Sequence, residues 1–252
     1  MQNPHEITVL IGLDDTDNLE SCGTGFHART IAKHIDEQSL GRTVHITRHQ
    51  LLVSPLVPYT SHNSAACIRV TTDPDQLSAI EELARTYLVM NSAEGADAGL
   101  CVAAEHEVSQ YVQRFGWLCK RRVMQQADAR HFATNSGLRL HGITGSKDGM
   151  IGALAAVGLH AQGCDGRLLW LKGLRELVDQ TISVEEVFAR TGVQAIQSLE
   201  GALIDVKDEF IAMGPWPRCV LLDGEAVLMV EKGEPHAKAH WRVADKQYLK
   251  QY

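Results

Sequence analysis

The chain has 252 residues, of which 44% are hydrophobic and 22% charged, the composition of an ordinary globular protein with one large domain or two small ones. Its formal net charge is -7 and its pI is about 5.9, which argues against a general nucleic-acid binder that relies on overall positive charge. Any contact with RNA would therefore depend on a local basic patch.

Two features bear on the compartment in which the protein works. The longest apolar run, 150–159, is too short to cross a bilayer, and the start of the chain lacks the basic region of a signal peptide. The six cysteines are scattered without a C-x-x-C pair, which argues against a zinc ribbon or a disulfide framework and fits reduced thiols. We therefore expect a cytoplasmic protein without a membrane span.

The first predicted element is a buried strand that ends in acidic residues. Branched apolar residues over 9–13 predict the strand, and Asp14, Asp15 and Asp17 follow it. Such carboxylates are unfavourable unless something neutralises them, and Mg²⁺ shared with substrate phosphates is a common partner. We therefore predict that the three aspartates bind a metal. The alternative is an acidic turn in which aspartates accept hydrogen bonds from nearby backbone N–H groups.

A Gly-rich segment and a helix come next. Residues 21–25 read Ser-Cys-Gly-Thr-Gly, and the apolar spacing predicts a helix over 26–38. A helix that starts just after Thr24 would present free backbone N–H groups to an anion. Together with the acidic turn, this arrangement predicts a cradle for a triphosphate and its metal. The segment is not a Walker A loop, because it lacks the GK[ST] sequence.

Two further strands are predicted over 44–53 and 65–70, and a polar segment, 57–66, leads from one to the other. Polar loops at strand ends often carry binding sites, but Ser, Asn and His also build ordinary turns. On the residues alone, the turn is the favoured interpretation of this segment.

The middle of the chain predicts a helix over 75–90, a strand over 99–104 and a helix over 107–115. A strand–helix–strand unit followed by another helix is what half of a ferredoxin-like fold would show. The densest basic cluster of the chain lies near the end of the last helix and is interpreted as a solvated face rather than a ligand site. It consists of Arg114, Lys120, Arg121 and Arg122.

A second Gly-rich stretch follows a predicted helix over 125–134 and a short strand over 138–141. Glycines let a backbone approach a ligand closely, and small residues let a helix pack tightly. Residues 153–158 are therefore interpreted as a core helix, whereas Lys147 and Asp148 at its mouth are harder to explain as core.

The last third predicts mostly strands. Strands are predicted over 167–171 and 203–206, a helix capped by Ser183 lies between them, and a hairpin covers 219–230. The tail, 231–250, mixes basic residues with His236, His240 and Trp241. Such a mixture can meet nucleic acid, but a solvated terminal face is the favoured interpretation.

Three of these segments resemble the archaeal isoleucine-tRNA agmatinylcytidine synthetase family, whose members modify the anticodon cytidine of a minor isoleucine tRNA. Residues 14–17 and Thr24 resemble the family's DDTDS…GGCTT motif, with Asn18 in place of Ser and without the second Thr. Residues 142–158 resemble its G-x-G-x-x-x-GLIGALAAIG segment. The polar segment resembles its PWKTRGNGA loop, in which His62 replaces an Arg.

The resemblance covers the chain from residue 7 to about residue 230 and implies an α+β fold. A kinase-like catalytic α/β domain, 1–62 and 122–195, would be interleaved with a ferredoxin-like domain, 63–121 and 196–252. The family's two further modules, an OB-fold and a zinc ribbon that grip tRNA, are not expected here.

The resemblance also implies an ATP- and Mg²⁺-dependent transferase or ligase that passes a phosphoryl or nucleotidyl group to an acceptor oxygen, as in tRNA modification. Its catalytic residues would be Asp14, Asp15, Asp17 and Thr24, and Thr24 is also a phosphate acceptor in this view. The expected nucleotide-binding residues are Gly23, Gly25, His62, Asn63, Ser64, Gly145, Lys147 and Gly149. The acceptor would be a small molecule or a tRNA delivered by a partner protein, and autonomous tRNA binding is not expected.

Two other functions stay open at this point. The departures at His62 and Gly25 favour a non-catalytic nucleotide-binding sensor or scaffold subunit, whereas the three retained aspartates disfavour it. Direct RNA binding through the basic cluster and the tail is the third hypothesis.

Overall fold

The computed structural model of the chain describes residues 6–57, 62–234 and 238–252. Backbone contacts divide it into two compact units, Met1–Gln162 and Gly163–Tyr252. The helices are α1 Thr24–Glu37, α2 Leu77–Asn91, α3 Gln110–Cys119, α4 Gln126–Asn135, α5 Gly149–Gln162 and α6 Val184–Arg190. The strands of the first unit are β1 Ile7–Asp14, β2 Arg42–Gln50, β3 Ser64–Thr72, β4 Gly99–Ala104 and β5 Arg139–Gly142. Those of the second unit are β6 Arg167–Leu171, β7 Thr181–Ser183, β8 Ala195–Ser198, β9 Phe210–Ala212, β10 Cys219–Leu222, β11 Glu225–Lys232 and β12 Trp241–Val243.

The sheet of the first unit has the strand order β5-β4-β1-β3-β2, and its neighbouring strands are antiparallel. The chain runs β1-α1-β2-β3-α2-β4, so the four strands from β1 to β4 have the βαββαβ arrangement of ferredoxin-like folds. β1 is the middle strand of the five. This position explains its continuous apolar sequence, because a central strand covered on both faces buries every side chain.

Helices cover both faces of this sheet. α1 and α2 contact it through β2, β3 and β4, and α5 contacts it through β1, β3 and β4. Leu10 belongs to the core that faces α5, whereas Val9 and Ile11, which alternate with it, are buried on the opposite face. α3 and α4 pack on α5 as a further layer.

Glycines allow the backbone of α5 to pack directly against the backbones of β1 and α3. A Cβ on Gly12 of β1 would collide with the Ala153 carbonyl oxygen of α5, and one on Gly158 would collide with the Val112 carbonyl oxygen of α3. A Cβ on Gly116 of α3 would come within 2.8 Å of the Ala155 carbonyl oxygen. The small-residue helix therefore packs as core on both sides, as the sequence predicts for its second half.

Three buried histidines lie between β2 and α5. The Nε2 atoms of His45 and His160 are 2.9 Å apart, and Nε2 of His49 lies 2.8 Å from the Thr47 hydroxyl oxygen. Within the described part of the chain, Nδ1 of His45 and Nδ1 of His160 have no hydrogen-bond partner. Burial, chiefly, lowers the pKa of His45 to about 3 and lowers that of His160 as well, so both rings are neutral at physiological pH.

The second unit is built around β11, which pairs with β10 and β12 in antiparallel fashion and with β8 in parallel. β12 also pairs with β9 in parallel, and β9 pairs with β7 in antiparallel fashion. The predicted hairpin is confirmed as β10 and β11, with Asp223 and Gly224 at positive φ angles of 50° and 78° in its two-residue turn. Ser183 caps α6 as predicted, because its hydroxyl oxygen accepts a hydrogen bond from the Glu186 N–H at 3.2 Å.

Other predictions for this unit are wrong. Residues 203–206 do not form a strand, because only Leu203 makes an isolated bridge, to Gln197. The strands β7, β9 and β12 were not predicted, since a three-residue strand is too short to show an alternating pattern. β12 falls in the tail that was interpreted as a solvated face, and His236 of that tail lies outside the described residues.

The predicted α+β class is confirmed. The boundary between the two compact units falls between residues 162 and 163 of the chain. The modules implied by the resemblance are discontinuous in sequence, and that module assignment stays a prediction. None of the helices in the described ranges is long and apolar enough to span a bilayer.

Candidate functional site

The candidate site lies at one end of the five-stranded sheet, where residues of β1, β4 and β5 lie side by side in register. Asp14 pairs with Gly99, and Gly99 pairs with Gly142. The loops that leave these positions therefore start side by side. The loop after β1 carries the aspartate motif, and the loop after β5 leads to the start of α5 at Gly149.

Hydrogen bonds tie the loop that precedes β4 to both of its neighbours. The Ala93 N–H donates to the Thr16 carbonyl oxygen at 3.0 Å, and the Asn18 side-chain amide donates to the Glu94 carbonyl oxygen at 3.1 Å. On the other side, the Thr144 hydroxyl donates to the Ala96 carbonyl oxygen at 2.6 Å. The three loops therefore form one connected surface.

A cavity of about 480 Å³ opens at this surface. Four carboxylates and one guanidinium line it together with many apolar side chains. The charged residues are Asp14, Asp15, Asp97, Asp148 and Arg122, and the apolar ones include Leu19, Leu51, Leu52, Leu56, Val57, Val123, Met124 and Ile151. Such a cavity can take a ligand with a flat apolar part and a strongly charged part.

Asp14 lies against the first turn of α5. A Cβ on Gly152 would collide with the Asp14 carboxylate, so only glycine at that position leaves room for it. Burial, reinforced by the neighbouring charges of Asp15 and Asp17, raises the pKa of Asp14 well above its ordinary value. A hydrogen bond from the Asp15 N–H acts in the opposite direction. The carboxylate is therefore held where its negative charge is poorly compensated.

Asp15 follows in the left-handed backbone region, with φ at 52°. Burial, together with the charges of Asp97, Asp17 and Asp148, raises its pKa to about 6. The unusual backbone turn points to a constrained local geometry, since Asp and Asn are the non-glycine residues that best tolerate this region. Asp14 and Asp15 thus lie together in one cavity wall, and their role as metal ligands stays a prediction.

Asp97 and Asp148 are the members of the acidic group that were not predicted as site residues. The Asp97 carboxylate accepts a hydrogen bond from the Ser146 N–H in the turn around Gly145, whose φ is +50°. The Asp148 carboxylate accepts hydrogen bonds from the Gln126 amide at 2.7 Å and from the Ser146 hydroxyl at 3.0 Å. The one signal in the sequence that could have predicted this pair as part of the site was Asp148, which directly precedes α5.

Asp17 and Thr24 form a pair beside the cavity rather than in its wall. The Thr24 hydroxyl donates to an Asp17 carboxylate oxygen at 2.8 Å and accepts a hydrogen bond from the buried Thr16 hydroxyl at 3.0 Å. Thr24 is the first residue of α1, Gly23 is its N-cap, and Gly25 lies in its first turn. The pair therefore fixes the start of α1 relative to the aspartate motif.

The predicted polar segment reaches the cavity through Val57, at its start, and Asn63. The Asn63 amide donates to the Leu52 carbonyl oxygen at 2.7 Å, which is the role of a turn residue. The Ser64 hydroxyl accepts a hydrogen bond from the Arg48 guanidinium at 2.9 Å, and His62 is exposed and does not line the cavity. Residues 58–61 of this segment lie outside the described residues.

The second Gly-rich stretch contributes its backbone rather than its lysine. Gly149 lines the cavity, and a Cβ there would come within 2.7 Å of the Asp14 carbonyl oxygen. Lys147 has a φ of 73° and is exposed. Its alkyl chain packs on Gly142 and does not line the cavity. Gly145 shapes the turn whose next N–H, at Ser146, donates to Asp97.

The basic cluster divides between the surface and the site. The Arg121 guanidinium lies 4.0 Å from the centre of the exposed Trp117 ring, as expected for a solvated face. Arg122 is exposed as well, and it also lines the cavity, which the interpretation as a solvated face did not anticipate. Its position follows from the turn after α3, where the Leu52 N–H donates to the Cys119 carbonyl oxygen at 3.0 Å.

The residues present fit a magnesium ion that is shared with a ligand. Among the described side chains, no three metal-ligating groups are arranged so that they could hold an ion by themselves. Mg²⁺ commonly uses only one or two protein carboxylates and completes its shell with waters and substrate phosphates. Asp14 and Asp15 match that requirement, since both line the cavity wall and both have acidic neighbours that raise their pKa.

No protein-family model and no curated protein match the sequence. Solved structures do match the fold. They include a complex of TiaS with an isoleucine tRNA and ATP, which is 24% identical with a TM-score of 0.53 and covers 60% of this chain and 36% of that chain. A complex of TiaS with an isoleucine tRNA, AMPCPP and agmatine is 20% identical with a TM-score of 0.53, covering 73% and 44%.

A third match is apo TiaS, a tRNA agmatidine synthetase, at 22% identity and a TM-score of 0.52 over 60% of this chain and 35% of that chain. The chain therefore spans between about a third and under half of the length of the structures that it matches. At these identities the likeness concerns the fold, and the chain shares its α+β fold with a part of TiaS.

Proposed function

We propose that this protein binds ATP with Mg²⁺ and transfers a phosphoryl or nucleotidyl group to an acceptor oxygen. The observation that carries the proposal is the pair Asp14–Asp15 at the end of the buried central strand, in the wall of a cavity with apolar and cationic sides. The fold shared with TiaS, which has been solved with ATP and with AMPCPP, supports the nucleotide.

The residues of the site divide the work by their chemistry. Asp14 and Asp15 would hold Mg²⁺, which supplies neutralisation of phosphate charge when bound. Arg122 supplies a fixed positive charge on the cavity wall, where it suits a phosphate oxygen. The backbone N–H groups at the start of α1 suit a second phosphate. The leucines and Met124 offer an apolar wall to a nucleobase.

In this proposal Asp17 and Thr24 act through position. Their mutual hydrogen bond sets the start of α1, so the phosphate contacts of Gly23 and Gly25 depend on it. Catalysis then comes mainly from alignment and charge neutralisation, as is general for phosphoryl transfer. Contacts from Lys147 and His62, and a phosphate on Thr24, stay predictions from the resemblance.

The tRNA connection is also part of the proposal. Structures of TiaS contain an isoleucine tRNA, and one contains agmatine, so a tRNA-modifying role is the one that the shared fold favours. The acceptor would be a tRNA brought by a partner protein, or a small molecule. All six cysteines are free, which supports a reducing compartment such as the cytoplasm.

The test is ATP turnover with label at the α and γ positions, followed by separation of the products and by the intact mass of the protein. Wild type is expected to form AMP or ADP, and Asp14→Asn is expected to lose at least about 100-fold in turnover, because a neutral amide is a much weaker ligand for Mg²⁺ than a carboxylate. Asp75→Asn, an exposed aspartate of the same unit, is the control. Turnover that survives Asp14→Asn would contradict the catalytic assignment.

A nucleotide sensor or scaffold without turnover is the second candidate. The observation in its favour is that the Thr24 hydroxyl is already used between Asp17 and Thr16 and so acts as a structural group. Calorimetric binding of Mg²⁺–ATP that is not followed by AMP or ADP would select this candidate.

A further inference from the structure

Asp97 lines the cavity and has a carboxylate oxygen that no protein group uses. Its Oδ1 accepts a hydrogen bond from the Ser146 N–H, and a Cβ on Gly145 would collide with this oxygen, so the glycine leaves room for the contact. Within the described part of the chain, the Ser146 N–H is the only hydrogen-bond donor to this carboxylate. Oδ2 is therefore an acceptor that a ligand in the cavity can use.

Asp148, which lines the same cavity, differs from Asp97 in this respect. Its Oδ1 accepts a hydrogen bond from the Gln126 amide at 2.7 Å, and its Oδ2 accepts one from the Ser146 hydroxyl at 3.0 Å. Both oxygens of Asp148 thus have a protein donor. Of the two carboxylates, Asp97 is the one that is equipped to bind a ligand.

Backbone contacts place Asp97 beside the proposed metal ligands. Its carbonyl oxygen accepts a hydrogen bond from the Gly149 N–H at 2.9 Å. A Cβ on Gly149 would come within 2.7 Å of the Asp14 carbonyl oxygen and 2.8 Å of the Asp97 carbonyl oxygen, so the two main chains meet at the start of α5. Among the described side chains, Asp97 does not complete a three-ligand metal site with Asp14 and Asp15. It therefore lies next to the metal pair without belonging to it.

The charge of Asp97 limits the part of a nucleotide that it can face. A carboxylate only accepts hydrogen bonds, and it repels phosphate oxygens that no cation neutralises. The hydrogen-bond donors of ATP are the two ribose hydroxyls and the amino group of the base, and the base suits the apolar wall of the cavity. The ribose, which connects the base to the phosphates, is therefore the part that fits Asp97. Acidic side chains accept hydrogen bonds from ribose hydroxyls in other nucleotide sites.

We propose that Asp97 recognises the ribose: its Oδ2 accepts a hydrogen bond from the 2′- or 3′-hydroxyl and makes the cavity selective for ribonucleotides. This inference rests on the proposed function and adds a specificity-determining residue to it. Ser146 acts through Asp97, because its N–H holds Oδ1 and so fixes the direction of Oδ2.

The test compares the Kd of Mg²⁺–ATP with that of Mg²⁺–2′,3′-dideoxy-ATP, by calorimetry, in wild type and in Asp97→Ala. Wild type should bind ATP roughly 10- to 100-fold more tightly, the range of a charge-assisted hydrogen bond. Asp97→Ala should bind both nucleotides equally, within about twofold, because the loss of the hydroxyl and the loss of the carboxylate remove the same contact. Asp97→Asn keeps an oxygen for the Ser146 N–H, and its preference should fall to roughly 2- to 10-fold, the range of a neutral hydrogen bond.

Asp148→Asn is the matched control. It removes the same negative charge from the same cavity, at a carboxylate whose two oxygens already have protein donors. The affinity for both nucleotides can change in this variant, but their ratio should stay that of wild type. The comparison therefore separates the effect of the charge from the effect of the hydrogen bond.

Equal Kd values for the two nucleotides in wild type would overturn the inference. So would a preference that persists in Asp97→Ala, because Asp97 would then have another role, such as binding a second cation. If wild type does not bind Mg²⁺–ATP at all, the proposed function fails, and ligand-observed NMR with adenosine and 2′,3′-dideoxyadenosine still decides the inference without metal or phosphate. A preference for adenosine that Asp97→Ala loses would support it, whereas equal binding or no binding of the two nucleosides would overturn it.

Discussion

The acidic wall of the cavity should make the free protein less stable than it could be, and Asp15→Asn is the change that reveals it. Asp15 has φ at 52°, a backbone region that Asn tolerates at least as well as Asp, so the substitution adds no backbone strain. It removes one negative charge from a group that also contains Asp97, Asp17 and Asp148.

The magnitude follows from the pKa of Asp15. A pKa raised from 3.8 to about 6 corresponds to about 3 kcal/mol between the two protonation states. Burial is the largest cause of this shift, and repulsion from the neighbouring carboxylates adds to it. Because Asp15 is only partly buried, water screens both effects, and we expect a gain in unfolding free energy of about 1 kcal/mol at about pH 7.5. For a unit of this size that is about 2–4 °C in Tm.

The pH dependence gives the prediction its sign. Because the folded-state pKa of Asp15 is raised, its contribution to stability is intact below pH 3.8 and is lost as the pH rises through about 6. The advantage of Asp15→Asn should therefore be largest above about pH 6 and disappear toward pH 3.8. Thermal melts of metal-free protein across this range measure it.

Asp179→Asn is the matched control, because Asp179 also has a positive φ, 58°, and is exposed in the other unit. It should show no pH-dependent gain. An Asp15→Asn protein that melts below wild type at mildly alkaline pH, or a gain that does not change with pH, would refute the electrostatic reasoning.

Three further outcomes are expected. Gly152→Ala should displace the Asp14 carboxylate and lower ATP turnover at least about 10-fold. It should cost only about 0–2 kcal/mol of unfolding free energy, because the higher helix propensity of Ala offsets the overpacking. Denaturant titration measures the stability separately from turnover, and a variant with full turnover would contradict the contact between residue 152 and Asp14. Arg122→Ala should weaken Mg²⁺–ATP binding about 10-fold by calorimetry, and the loss should shrink in high salt, whereas Arg121→Ala should change little. The stability that neutral His45 contributes should be present above pH 6.5 and should fall as the pH drops toward about 3. The double change of His45 and His160 to Leu should therefore make the unfolding free energy less dependent on pH on the acid side. An unchanged pH dependence would show that the protonation of this pair does not change on unfolding.

The sequence was informative where a single segment contains both the element and its chemistry. The run into Asp14 and Asp15 predicted a buried strand that ends in carboxylates at a site, and both residues line the cavity. The cap at Ser183 and the turn at Asp223–Gly224 were predictable for the same reason, because local hydrogen bonds and backbone angles decide them.

The missing parts of the site come from residues that only the tertiary structure brings together. Asp97 precedes β4, Asp148 precedes α5 and Arg122 follows α3, so no spacing in the chain links them. Lys147 shows a further limit: the sequence predicted a nucleotide contact for it, and in the structure its side chain packs on Gly142 and its φ is 73°, neither of which a sequence pattern indicates.

The glycine contacts of α5 decide which side of the cavity can adapt to a ligand. Gly12, Gly116 and Gly158 bring backbone against backbone, and such contacts contain no rotamers that could absorb a shift. The wall that carries Asp14 is therefore a fixed reference surface. Any induced fit has to come from lining side chains that are free to move, such as Leu19 and Leu56, which are 83% and 76% exposed.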